Sequence, residues 1–341
     1  MTTLEQVAVR AGVSPATAAR ALSNVPTVGG GARARVLAAA EELGFEPGLG
    51  LRHPTDARSR LIGLVFPYPP AFVFGDPNLL VFMRGAEQQL ARSDHGLALY
   101  PAREDQDPAS GLRRFLATPF ADGAIIVGTN AIEAACEHLR YRALPAVILG
   151  YRSPWGRDNT IHANNRHGAY FATRHLLGLG HTRIGVIDAA VPLADLAERL
   201  AGHRQALAEA KVAFRPERVA VGDLTEPSGG AAARHLLSLS PPPTALFAFN
   251  DRMAMGAIHQ LKTAGLRVPA DIAVVGFDDI PLAAMFDPPL TTVRQPAQEM
   301  GATAGRMVLG LVEGKIERFP EMSLPALLVV RDSCGAGLRP S

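Results

Sequence analysis

From Leu61 onward the chain consists of short, continuously apolar runs separated by amphipathic stretches, and this alternation constrains the fold more than any other feature. Candidate strands are Leu61–Pro67, Leu97–Tyr100, Ala124–Val127, Ala146–Leu149, Arg183–Ile187, Val219–Val221, Ala245–Phe249, Ile272–Phe277 and Leu327–Val330. Helical periodicity fills the gaps at about 79–92, 108–117, 131–141, 166–178, 196–210, 229–238, 252–264 and 297–313. A strand that is apolar on both faces must be covered on both, which predicts an α/β fold of doubly wound parallel sheets built from right-handed crossovers. The strands form two sets split near residue 160, so two Rossmann-like lobes with a cleft between them are expected. In such sheets ligands bind beyond the carboxyl ends of the strands.

Polar residues at those strand ends are the candidate lining. Asn250 and Asp251 follow Phe249, Asp278 and Asp279 follow Phe277, Gln295 follows the run Thr291–Arg294, and Arg199 opens the helix after the loop 188–196. Carboxylate, carboxamide and guanidinium groups together suit a ligand with several hydroxyls or a polar ring. Asn250 or Asp251 equally fits as the cap of a helix starting at Arg252, and Asp278 as the cap of a short turn.

The first 45 residues have a different texture. Leu4, Val7, Ala8 and Ala11 recur at helical spacing, Gly12 breaks the pattern, and Ser14-Pro15 restarts it as cap and first helical residue. The second helix, about Pro15–Leu22, is short and shows Pro15, Ala16, Thr17 and Arg20 on its open side. After a loop over 25–31, a third helix carries Val36, Leu37, Ala40 and Leu43 on one face and stops at Gly44. This order of helix, tight turn, short helix and third helix predicts a helix-turn-helix unit for nucleic acid. Charge agrees: residues 1–60 hold seven Arg against five acids, although the whole chain is only +2. Residues 46–60, rich in Gly, Pro and Arg, read as a linker.

Other chemistries find little support. Gly29-Gly30-Gly31 follows no strand, GLGH at 178–181 ends a helix, and no G-x-S-x-G, H-E-x-x-H or S-x-x-K occurs. Cys136 and His138 point to different faces of a helix, two cysteines make no disulfide framework, and no metal site or cofactor is expected. No apolar run approaches the ~18 residues of a membrane span, and MTTLEQVAVR lacks the layout of a signal peptide. A cytoplasmic protein is therefore expected. A solute-binding protein or an enzyme on the same sheets remains possible on fold alone.

Longer segments resemble the lactose-repressor (LacI/GalR) class of bacterial transcription regulators over nearly the whole chain. They are LEQVAVRAGVSPATAARALSN (4–24), RVLAAAEELGFEPG (35–48), LLGLGHTRIGVI (176–187), ERLAGHRQAL (198–207), FNDRMAMGAI (249–258) and LRVPADIAVVGFDDIPLAAMFDPPLTTVRQP (266–296). The resemblance implies a DNA-binding head at 1–45, a hinge at 46–60 and an effector-binding, homodimerising core at 61–341. Its lobes would be about 61–160 with 291–320, and 161–290 with 321–335. It implies a repressor whose affinity for a near-palindromic double-stranded operator is switched by a small effector. Pro15, Ala16 and Arg20 match base-reading positions, and Ser14, Thr17 and Asn24 match phosphate-touching ones. Arg33 is a further candidate phosphate contact. Arg199, Asn250, Asp278 and Gln295 match the effector cleft, with Leu224 where relatives often carry a stacking aromatic. Asn78 and Leu79 replace the usual aromatic pair there, and Phe72 and Phe74 just before them are candidate substitutes.

The hinge departs from the family most. Pro54 stands where relatives usually carry a Leu that wedges into the minor groove, and Gly48 and Gly50 each cost about 1 kcal/mol relative to Ala inside a helix. Leu51, Arg52 and Pro54 are the expected DNA contacts here, through a hinge that forms only partly on the operator.

Overall fold

In the computed structural model, residues 3–22, 28–43, 45, 59–103, 110–116, 121–128, 144–150, 158–191 and 194–338 are described. The chain divides into two units, Met1–Arg60 and Leu61–Ser341.

In the first unit, Thr3 and Gln6 form a reciprocal capping box that starts α1 (Leu4–Ala11). Gly12 ends it at φ 63°, a left-handed conformation that favours glycine. The chain turns at once into α2 (Pro15–Leu22), whose start is held by the Ser14 Oγ accepting from the Thr17 amide at 3.2 Å. The third helix, α3 (Gly30–Glu42), begins inside the glycine stretch that sequence assigns to the loop. Val7, Ala8, Ala11, Ala18, Ala21, Val36, Ala39 and Ala40 make the core of this small unit. Alanines at the crossings let the three helices approach closely. Leu37, expected on the buried face, is instead 51% exposed, because Val36, Ala39 and Ala40 set the inward stripe one residue away.

The second unit contains two parallel sheets. The first runs β11-β5-β4-β3-β1-β2, with β1 Leu61–Val65, β2 Gly96–Tyr100, β3 Gly123–Val127, β4 Ala146–Leu149, β5 Thr160–Ala163 and β11 Met322–Leu324. The second runs β7-β6-β8-β9, with β6 Ile184–Ala189, β7 Val219–Gly222, β8 Ala245–Ala248 and β9 Ala273–Val275. A short antiparallel pair, β10 (Thr292–Arg294) with β12 (Leu327–Val329), accompanies them. Strand order reverses between β1 and β3 in one sheet and between β6 and β8 in the other, and a cleft is expected at such reversals.

The chain passes between lobes at different residues from those expected. Thr160–Ala163 pairs with β4 and β11 in the first sheet, and Met322–Leu324 joins it there. Thr291 and Arg294 bridge to Val275 and Asp278 in the second lobe. These crossing strands are three or four residues long, too short to print a periodicity, and His162 and Thr160 interrupt the apolar signal. The helix expected at 131–141 lies outside the described residues.

Paired helices cover the sheets, and glycines set their closest approaches. A Cβ on Gly301 of α11 (Ala297–Val312) would lie 2.1 Å from the Phe82 carbonyl oxygen of α5 (Pro77–Ala91). Gly202 of α8 (Ala194–Glu209) is equally close to Arg166 of α7 (Asn165–Gly178). Phe247, Phe249 and Phe277 lie fully buried at the centre of the second lobe, and Phe66 and Leu64 in the first.

Candidate functional site

The carboxyl ends of the strands surround a cavity of about 120 Å³. One water needs ~10–15 Å³ by the same kind of measure, so there is room for a small organic molecule. From the first lobe it is lined by Tyr68 after β1, Val127 and Gly128 at the end of β3, and Leu149 and Gly150 at the end of β4. From the second lobe come Leu224 after β7, Asn250 after β8 and Asp278 after β9, with Arg199 and Asp195 on α8. Gln295, on the crossing segment, completes the polar set.

Asn250 has two roles, and both are internal. Its Oδ1 accepts from the Met253 amide at 2.8 Å, capping α10 (Asp251–Thr263), and its Nδ2 donates to the Leu224 carbonyl at 2.9 Å. It therefore holds the β7 loop, where Leu224 stands buried at φ 70°. Arg199 is buried and equally committed. Its Nε donates to Asn165 Oδ1 at 2.9 Å, its Nη1 donates to the Phe249 carbonyl, and its guanidinium carbon lies 3.8 Å from the centre of the Phe277 ring. Its Nη2 faces Asp278 Oδ1 at 3.7 Å.

Asp278 joins the lobe to the crossing segment. Its amide donates to the Val293 carbonyl at 2.8 Å, and its Oδ1 accepts from Gln295 Nε2 at 2.6 Å. Its φ of 120° is a conformation that side chains rarely adopt. Asp279, the next residue, anchors the turn by ion pairs to Arg294 Nε and Arg331 Nη2, both at 2.6 Å. Burial pushes the Asp278 carboxyl up to about 7 against the pull of Arg199, and the Asp76 and Asp195 charges add to the rise. Behind it, burial also raises Asp251, which accepts from Thr292 Oγ1 at 2.5 Å and the Ile280 amide at 2.9 Å.

Of the expected cleft residues, Arg199, Leu224, Asn250, Asp278, Gln295 and Phe72 all line this cavity, and so do Asn78 and Leu79. Phe74 does not: on the short helix α4 (Pro70–Gly75) it points outward and is 57% exposed, while its neighbour Val73 takes the buried position. Tyr68, Asp76 and Asp195 were not anticipated. Asp76 had a legible signal, since Asp-Pro is a helix start, and it caps α5 through the Asn78 and Leu79 amides at 2.8 and 3.2 Å. Among the described residues, no group of three or more His, Cys, Asp or Glu side chains is placed to hold a metal.

In the first unit, Ser14, Pro15, Ala16 and Arg20 are exposed, and Thr17 and Arg33 are part-buried. The Ser14 and Thr17 hydroxyls bond each other at 2.9 Å, and Arg20 Nε donates to the Ala16 carbonyl at 3.2 Å, leaving its Nη groups outermost. Asn24, Leu51, Arg52 and Pro54 lie outside the described residues.

A helix-turn-helix unit joined to a two-lobed core with a ligand-sized cleft defines a class: ligand-responsive, DNA-binding transcription regulators. Comparison with known proteins makes the class specific. Residues 3–48 match the description "Bacterial regulatory proteins, lacI family" and residues 173–334 match "Periplasmic binding protein-like domain". The HTH-type transcriptional repressor PurR of Aliivibrio salmonicida is 32% identical over 316 residues, 92% of this chain and 93% of that protein. The repressor CytR of Escherichia coli is 32% identical over 98% of this chain and 96% of its own length. Among solved structures, a CelR–cellobiose complex superposes with a TM-score of 0.76 at 30% identity, covering 98% of this chain and 100% of that one. The lac repressor dimer bound to operator and the anti-inducer ONPF gives 0.75 at 27% identity, covering 97% and 98%. The chain belongs to the LacI family.

Proposed function

We propose that this protein is a repressor that binds a near-palindromic operator as a homodimer, and that a small polar effector in the core cleft, a sugar or nucleoside, switches its operator affinity. The observation that carries the cleft assignment is the convergence of Arg199, Asp278 and Gln295 on one cavity at the strand ends. The similarity to a CelR–cellobiose complex supports a ligand of this kind. In this reading the protein is a regulator and not an enzyme, like the relatives it matches, and it acts in the cytoplasm, where the DNA is. Among the described residues, no helix is long and apolar enough to cross a membrane.

On the head, Arg20 reads a base edge in the major groove with Pro15 and Ala16 against the groove floor, while Ser14, Thr17, Asn24 and Arg33 contact phosphates. Leu51, Arg52 and Pro54 meet the minor groove at the operator centre. Dimerisation supports this geometry, since one short recognition helix reads only a few base pairs and a two-fold pair doubles the site. The test is a gel shift on genomic fragments, repeated with a panel of sugars and nucleosides. A member of the panel should change operator affinity in the wild type and leave Asp278→Ala unresponsive, although still bound to DNA. An effector response that persists in Asp278→Ala would refute the cleft assignment.

A further inference from the structure

The polar groups facing the cavity are unequally committed. Most charged and amide donors are spent inside the protein, the Asn250 amide on the Leu224 carbonyl, the Gln295 amide on Asp278, and Arg199 Nε and Nη1 on Asn165 and Phe249, which leaves the Asn78 carboxamide, the Tyr68 hydroxyl and Arg199 Nη2. The acceptors are not. Asp76 Oδ1 takes both amides that it caps, while its Oδ2 accepts from no donor among the described residues. Asp278 Oδ1 takes the Gln295 amide, leaving its Oδ2 and Gln295 Oε1 equally unmatched among those residues. The largely buried Tyr68 hydroxyl, on the same wall, also has no hydrogen-bond partner among them. All four residues line the cavity.

Two carboxylates with open oxygens face one guanidinium that is already engaged. Asp195 lines the same wall. An anionic ligand would enter against this charge and find few donors, whereas a cation would supply what the wall lacks. Tyr68 and Phe72, with ring centres 4.5 Å apart, join Leu149, Leu224 and Met300 as an apolar surface suited to the C–H face of a ring.

We infer that the cleft selects a ligand bearing a protonated amine beside hydroxyl groups, an amino sugar or comparable amino polyol of one ring, with the ammonium between Asp76 and Asp278. This rests on the cleft being the effector site. The upward pKa shifts of Asp76 and Asp278, both caused chiefly by burial, fit carboxylates whose nearby arginines, Arg199 for both and Arg252 for Asp76, do not offset their desolvation. An ammonium would add to that offset.

The test is calorimetry and thermal shift on the full chain with glucosamine, galactosamine and mannosamine, each beside its N-acetyl form and the corresponding hexose 6-phosphate. At least one amine should bind about tenfold or more tightly than its N-acetyl partner, with no binding of the phosphate. Asp76→Asn keeps a helix-capping side chain, so the fold is retained while the preference for the amine is lost. Leu79→Trp, which fills the cleft from α5, should abolish binding of every member. A neutral or phosphorylated sugar binding as well as the amine, no amine binding at all, or a preference unchanged in Asp76→Asn would overturn the inference. If binding survives Leu79→Trp, the cleft assignment itself is wrong. If neutral sugars bind best but only with Leu79 intact, the charge inference alone fails.

Discussion

Asp278 shows what one side chain contributes at this site. Its backbone stands at φ 120° beside the ion-paired Asp279, and burial raises its carboxyl to a pKa of about 7. A carboxyl whose folded pKa lies above its unfolded value of about 3.9 binds its proton more tightly when folded. Its stabilising contribution is therefore complete at acid pH and is lost as pH rises through about 7. Asp278→Asn removes that dependence. The melting temperature of the variant relative to wild type should rise between pH 5 and pH 8, and a difference that stays constant or falls would show the carboxyl to be ordinary. On the head, Arg20→Ala should cost about 1–3 kcal/mol per half-site on the operator and leave random DNA almost unaffected, as measured by fluorescence anisotropy. Equal losses on both DNAs would make Arg20 a phosphate contact. The strand-end positions of Asn250, Asp278 and Gln295 were legible because polar residues directly after apolar strands must face the cleft. That Asn250 spends both of its polar atoms inside the protein was not, since its partner Leu224 is 26 residues away and meets it only in the folded lobe.

At the scale of elements, long periodic helices and apolar strands were readable from local pattern, and α2 was readable from its Ser-Pro start. What pattern could not show were the short strands Thr160–Ala163, Thr292–Arg294 and Met322–Leu324, which are held by the distant pairings of β5 with β11 and β10 with β12. Glycine has a similar double meaning. In sequence Gly301 and Gly178 both look like weak points in a helix, yet only Gly301 is pressed against a neighbouring backbone. Gly301→Ala forces its Cβ onto the Phe82 carbonyl and should lower core stability by about 1–3 kcal/mol in urea. Gly178→Ala meets nothing within 4 Å and should be neutral or stabilising by up to about 1 kcal/mol. If the two variants behaved alike, close α5–α11 packing would not be a determinant of the core.

For the whole molecule, the two units divide the work by chemistry. The head presents Pro15, Ala16 and Arg20 on the open side of α2 and has four arginines without a carboxylate between Glu5 and Glu41 in sequence, a charge pattern that suits an anionic polymer. The core has a cavity on which two lobes converge, and a crossing segment, Thr292–Gln295, that is hydrogen-bonded to a cavity residue and leads directly into α11 of the other lobe. In the proposed reading, a ligand that touches Asp278 or Gln295 acts on a connection between lobes. The expectations for the hinge concern residues 46–58, which lie outside the described residues.

If this chain reads operator DNA as a two-fold pair of heads, selection by the 341-residue protein from a pool of random duplexes should enrich one near-palindromic site with two matching half-sites, and Arg20→Ala should lose preference at a single symmetric position. Enrichment of an asymmetric single half-site, or recovery of no consensus at all, would contradict two-fold reading.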